Sequence, residues 1–299
     1  MTEAGKSEKQ GAPVAQAAAP ESGAAGALGA SGPAGPAGPA GASGEAAPAG
    51  PAAPRVRAVG AGAPFRWLAR GWDDLCATGF RATFYGAMFA LMGLLISVVY
   101  ATQWQLTLAV TAGFFLVGPF LCTGIYELSR QLERGERIDL AASMTCWRRN
   151  LASVAFFAAI LTFAMFLWAR VSFVIFALVS TTDFPTLQTV VAQIVTLSNI
   201  AFVLVWGGVG FVFATLAFAI SVVSIPLMLD RRSDTMVSIF ASVQALFANL
   251  LPVYIWGALI VLLIGTSLLL WMWPLVITVP VIGHATWHAY RDLIEPESK

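Results

Sequence analysis

Residues 80–101 read FRATFYGAMFALMGLLISVVYA, a run whose single charge, Arg81, stands near its start. About 20 such residues in a helix cross the hydrocarbon core of a bilayer. A helix lying on a soluble core would instead keep one polar face. This stretch therefore predicts a transmembrane helix, and five more runs follow it. A two-residue turn, Thr102-Gln103, leads to the second run, 104–126. The third opens at Leu151, stays uncharged to Ala169, and ends there or further on. The fourth covers 200–229 without a charge, long enough to cross with tilt. The fifth covers 251–270, and a Trp271-Met272-Trp273 corner opens the sixth, 272–289. The expected fold is an all-α integral membrane domain over residues 65–295, a six-helix transmembrane bundle.

Composition supports this. The chain is 58% hydrophobic and 11% charged, with a mean hydropathy of +0.76. Soluble domains carry about 25% charged residues. The net charge of +1 supplies no basic field for nucleic acid, so the expected partners are the lipid bilayer and other membrane proteins. The three cysteines, Cys76, Cys122 and Cys146, show no metal-type spacing, and their odd number argues against a complete disulfide framework. They read as packing thiols.

Residues 1–64 differ in kind. They are mostly Ala, Gly, Pro and Ser, and residues 32–41 read GPAGPAGPAG. A collagen helix needs that triplet sustained, and here it fails soon after. With so little apolar bulk the segment cannot offset the entropy of ordering. It reads as a disordered cytoplasmic tail. It lacks the leucine-rich core of a secretory signal. Residues 296–299 form a short C-terminal end.

The cationic side chains set the orientation. Arg66, Arg70 and Arg81 precede or open the first run. Arg130, Arg134, Arg137, Arg148 and Arg149 lie between runs two and three, Arg231 and Arg232 between four and five, and Arg291 and Lys299 at the end. The alternate loops, 102–103, 171–199 and 271–273, carry none. Under the positive-inside rule both termini are cytoplasmic, and Trp104, Trp271 and Trp273 fall at the outer aromatic belt. Arg170 stands 19 residues into the third run. At about 28 Å of helix it snorkels at the outer interface or pairs with Asp183. Residues 185–198, PTLQTVVAQIVTLS, put Leu187, Val190, Val191, Ile194 and Val195 on one helical face. This is an uncharged amphipathic helix, lying on the outer surface or re-entrant.

A weak threefold pattern runs through the spans. FRATFYGA from Phe80, NLASVAFF from Asn150 and NLLPVYIW from Asn249 open the odd spans. Each follows a polar or amphipathic segment starting near Asp73, Asp139 or Asp234, acids suited to helix starts. The even spans carry Pro119, Pro226 and Pro280 towards their inner ends. Four and eight positions beyond those prolines stand Thr123 and Glu127, Asp230 and Asp234, and His284 and His288. The pattern implies three pseudo-repeats of a helix pair with interfacial amphipathic helices.

These motifs resemble a known family. GWDDL, GPFLCTGIYELSRQLERGE, CWRRN, PLMLDR and GHATWHAYRDL are together similar to the bacterial integral membrane proteins grouped as domain of unknown function 2189. The resemblance covers about 65–295. It implies a multi-pass protein of the bacterial inner membrane. The family offers no established activity, so no catalytic residues carry over.

Both histidines, His284 and His288, lie four residues apart, which puts them on one helical face with Asp292. They cannot be opposite axial ligands of one haem, and the chain has no third histidine. No cofactor is therefore expected. A divalent metal on His284, His288 and Asp292 is the remaining candidate. His284 lies about 16 Å along the helix from Trp273, inside the bilayer, where an ionisable residue is a candidate for function. The competing reading is a neutral histidine bonded to a neighbouring helix, worth about 0.6–2 kcal/mol. If the even spans surround a threefold axis, Thr123, Asp230 and His284 form one layer and Glu127, Asp234 and His288 another. Such layers would suit a cation or a proton relay.

No HExxH, GxSxG or P-loop pattern points to an enzyme. The expected function is a non-enzymatic membrane module, a scaffold or accessory factor. The alternative is a small transporter or channel, favoured by the repeat, the prolines and the small residues Gly207, Gly208 and Gly210.

Overall fold

The computed structural model describes residues 54–179 and 199–296, apart from the side chain of Trp104. The expected amphipathic helix at 185–198, Asp183, and the tail as far as residue 53 lie outside the described residues. Ten α-helices follow in order among the described residues. α1 is Ala63–Thr78, α2 Phe80–Thr102, α3 Thr107–Glu133, α4 Leu140–Thr145 and α5 Leu151–Val179. After the undescribed segment come α6 Ile200–Ser221, α7 Ser224–Arg231, α8 Thr235–Ala248, α9 Leu250–Leu269 and α10 Leu275–Leu293.

Five helical segments are long and apolar enough to cross a membrane: 80–102, 107–133, 140–179, 200–231 and 250–269. Their outward faces are bare hydrocarbon. Leu91, Phe163, Leu204 and Val261 are each at least 60% exposed, which water would penalise and lipid would not. The chain is thus an all-helical integral membrane protein. The sixth expected span, α10, is not among the five. His284, His288, Arg291 and Asp292 lower its hydropathy, and protein rather than lipid covers it. From Pro280 to Leu293 ten of the fourteen residues are buried and none is exposed.

α10 is the hub, and glycine makes it one. A Cβ on Gly71 of α1 would lie 2.6 Å from the Val281 carbonyl oxygen. One on Gly86 of α2 would strike the Val276 carbonyl, and one on Gly283 would lie 2.6 Å from the Ile125 side chain of α3. Small residues thus let backbones approach where apolar surface alone gives little drive inside a bilayer.

The prolines of the even spans are not equivalent. Helices α3 and α10 run unbroken through Pro119 and Pro280. The expected span 200–229 instead breaks at Val222-Val223, between α6 and α7. Pro226 has no N–H and crowds the carbonyl four residues back, at Val222. A neighbour fills the gap. The Ser242 hydroxyl of α8 accepts from Val223 N–H (3.3 Å) and donates to Ala219 O (2.6 Å). An inserted side chain of this kind is a recognised cause of a kink.

Other boundaries also shift. Asp139 and Asp234 cap α4 and α8, accepting from Ala141 and Met236 N–H respectively. Asp73 starts nothing: α1 begins ten residues earlier, with Pro64 in its first turn. α5 continues through Arg170 to Val179, so residues 171–179 are span rather than loop. The segment 54–64, read as tail from its composition, joins the fold. Val56 forms an antiparallel bridge with Ile294, through Arg57 N–H to Leu293 O (2.8 Å) and Glu295 N–H to Arg55 O (2.9 Å). At the other end of the bundle, Trp271 and Met272 have φ of 59° and 65°. The left-handed region costs a non-glycine residue roughly 1–2 kcal/mol.

Candidate functional site

Among the described residues the polar side chains gather at the end of the bundle away from the 102–107 and 270–274 turns. α1 contributes one face. Trp67, Gly71, Leu75 and Thr78 are buried at helical spacing, and Asp74 falls on the same side. It meets Ser129 of α3 and both histidines of α10. The Ser129 hydroxyl donates to Asp74 Oδ2 (2.7 Å), and His288 Nε2 reaches the same oxygen at 3.0 Å. His284 Nδ1 lies 2.6 Å from Ser129 Oγ, and its Nε2 lies 3.4 Å from Thr78 Oγ1. Ser129 has one proton and gives it to Asp74. The short contact to His284 therefore needs the proton on Nδ1, a tautomer assigned from the network.

The inner part of the cluster is closed. His284 is wholly buried, and Ser129 and Thr78 are 1% exposed. Serine, histidine and aspartate in mutual contact suggest a nucleophile, but catalysis needs a place for the reacting atom beside the serine, and this one is covered. One carboxylate thus joins three helices.

Neighbouring pairs extend the cap. Glu127, 2% exposed, is held by Arg130 (2.6 Å) and Arg149 (3.0 Å). Asp230 accepts from the Tyr290 hydroxyl (2.8 Å) and lies 3.4 Å from Arg291. Arg291 bonds Glu133 (2.7 Å), which also accepts from Trp287 Nε1 (3.0 Å). Asn249 holds the extended segment before α1 through Val59 N–H and Arg57 O.

The two expected layers are partnered differently. His284 bonds Ser129 and Thr78, whereas Asp230 bonds Tyr290 and Arg291. The Thr123 hydroxyl turns back to Phe120 O (2.6 Å), and Asp234 is a helix cap. His288 bonds Asp74 and Glu127 bonds arginines. The reason is the break at Pro226, which turns α7 out of the register shared by α3 and α10. The metal triad also comes apart. Asp292 accepts from Trp67 Nε1 (2.8 Å) and faces Arg70 (3.5 Å). Among the described residues no group of three or more His, Cys, Asp or Glu could hold a metal ion.

Asp74 and Ser129 went unread in the sequence. The signal was present for Asp74: Trp67, Gly71, Asp74 and Thr78 share the 3–4 residue spacing of one helical face. Ser129 gave no such signal, because the proline-based register pointed to Thr123 and Glu127.

No curated protein and no solved structure matches this chain. Asp74 and the two histidines lie outside the stretch that a family description covers, so the wider resemblance over 65–295 narrows to the middle of the chain. Residues 106–230, α3 through most of α7, match the family described as predicted integral membrane protein (DUF2189).

Proposed function

We propose that the chain is a non-enzymatic membrane module, a scaffold or accessory factor of the bacterial inner membrane, with six crossings and both termini cytoplasmic. The observation that carries this reading is the internally bonded polar cap. Its carboxylates and histidines, from wholly buried His284 to partly exposed His288, are bonded to one another and to arginine, serine and tyrosine. Groups that serve a moving ion must be free to exchange partners; these hold helices together. The crossing number rests on parity. Val56 and Ile294 are bridged, and five crossings between them would put them on opposite sides of the bilayer. α10, as a sixth crossing, restores agreement. The arginines at this end support the cytoplasmic assignment.

The alternative, a small transporter or channel, draws on one observation. His288, Asp74, Ser129 and His284 form a continuous hydrogen-bonded line from a partly exposed to a wholly buried side chain. Proteoliposomes with an internal pH dye and an imposed gradient separate the readings. The module reading predicts proton flux equal to that of empty vesicles. Flux above that level, lost in Asp74→Asn, would overturn it. It further predicts that the chain migrates within a larger complex on native separation of gently solubilised membranes; migration alone counts against it.

A further inference from the structure

A cavity of about 500 Å³ lies between α2, α3, α9 and α10, on the face of α10 away from the histidines. Ligand-holding cavities run from about 300 to 1,000 Å³. Phe89, Ile125, Ile264, Val279 and Ile282 line it. The aliphatic hydroxyls in its wall are already engaged. Ser97 donates to Gly93 O (3.1 Å) and Thr286 to Ile282 O (2.7 Å). Nothing in the wall calls for a polar ligand, and water finds no partners there.

The shape narrows the occupant further. From Leu275 to Thr286 the cavity follows α10 for about 16 Å of helix, close to one leaflet of a hydrocarbon core about 30 Å thick. A shallower groove beside Leu94, Val98 and Trp271 shares Ser97, Leu268 and Met272 with it. The cavity thus continues to the lipid-facing surface at the 270–274 turn. There the backbone is held left-handed at Met272, whose Sδ would lie 2.8 Å from a Cβ on Gly93. The constrained corner sets an unbranched, flexible side chain across the mouth.

We propose that this cavity binds one acyl chain of a bilayer lipid, admitted past Met272. The site is independent of the polar cap and of the scaffold reading.

The test is photo-cross-linking in phosphatidylcholine vesicles with a diazirine on one acyl chain, the adducts mapped by peptide mass spectrometry. Adducts concentrate on Phe89, Ile264 and Val279. Ile264→Trp fills the cavity and lowers their yield about tenfold, the effect of one overpacking substitution. Leu262→Trp, on the exposed face of α9, leaves it unchanged. Should Ile264→Trp fail to accumulate, Met272→Ala decides: it clears the mouth and raises the yield. Equal labelling of Leu91, Leu262 and the cavity residues overturns the proposal, as does a yield unmoved by whichever variant is measured. Stronger competition by a branched isoprenoid alcohol than by unlabelled phosphatidylcholine overturns the acyl assignment.

Discussion

Asp74 shows what a single residue does in this protein. One carboxylate oxygen accepts from Ser129 of α3 and His288 of α10, and Ser129 passes the link to His284. His284→Ala removes the buried end of that line and leaves Ser129 short of a partner. The expected cost is about 1–3 kcal/mol, read as a lowered thermal midpoint of the detergent-solubilised protein. A double-mutant cycle of Ser129→Ala with His284→Ala should give a coupling of about 0.6–1.7 kcal/mol, the range for hydrogen bonds between membrane helices. Zero coupling would mean the two side chains do not act together. Glu127 is the sharper case. Arg130 is 9% exposed and relies on it. Glu127→Leu strands a buried guanidinium, at a cost of about 3–5 kcal/mol. His288→Ala, at a partly exposed side chain, should cost less than either.

At the scale of elements, close approach and a repaired kink carry the argument. Gly86→Ala and Gly71→Ala set a methyl against backbone of α10. Each should cost about 1–3 kcal/mol from overpacking. Gly113→Ala meets open space in α3 and should be neutral to stabilising by up to about 1 kcal/mol. Thermal midpoints of the three variants check this directly; equal effects would show that helix propensity, not contact, decides. Ser242→Ala should cost about 1–3 kcal/mol, because Val223 N–H and Ala219 O lose their shared partner. The apolar helices were legible because hydropathy alone defines them. The capping roles of Asp139 and Asp234 were legible because an acid before an apolar run has one obvious use. The start of α1 was not, since Ala and Pro at 63–64 blend into the low-complexity composition before them. The end of the third span was left open at Ala169 or beyond because Arg170 follows there, and a single cation does not stop a helix.

Much of the polar end is organised around α10, which is the least apolar and most enclosed of the expected spans. The bonds of His284 and Asp230 do not follow the proline register. The register assumed three equal helix pairs, but α1, α2 and α3 pack closely on α10 through Gly71, Gly86 and Gly283, while α5 and α6 pack elsewhere. Both histidines were legible as the residues to follow. Their true partners were not, because partner choice depends on where α1 crosses α10, and no local pattern in the sequence encodes that crossing. The same architecture leaves an apolar cavity on one face of α10 and a polar cap on the other.

The central claim is that the two ends of the membrane domain share one side of the bilayer, bridged at Val56 and Ile294, so that α10 crosses it. Thiol labelling from either side of sealed membrane vesicles tests this most directly. Arg55→Cys, Pro296→Cys, Gln103→Cys and Trp273→Cys are introduced singly, with Cys76, Cys122 and Cys146 replaced by serine. Positions 55 and 296 should label from the same side, the cytoplasmic one, and positions 103 and 273 from the other. Labelling of 55 and 296 from opposite sides would contradict the account.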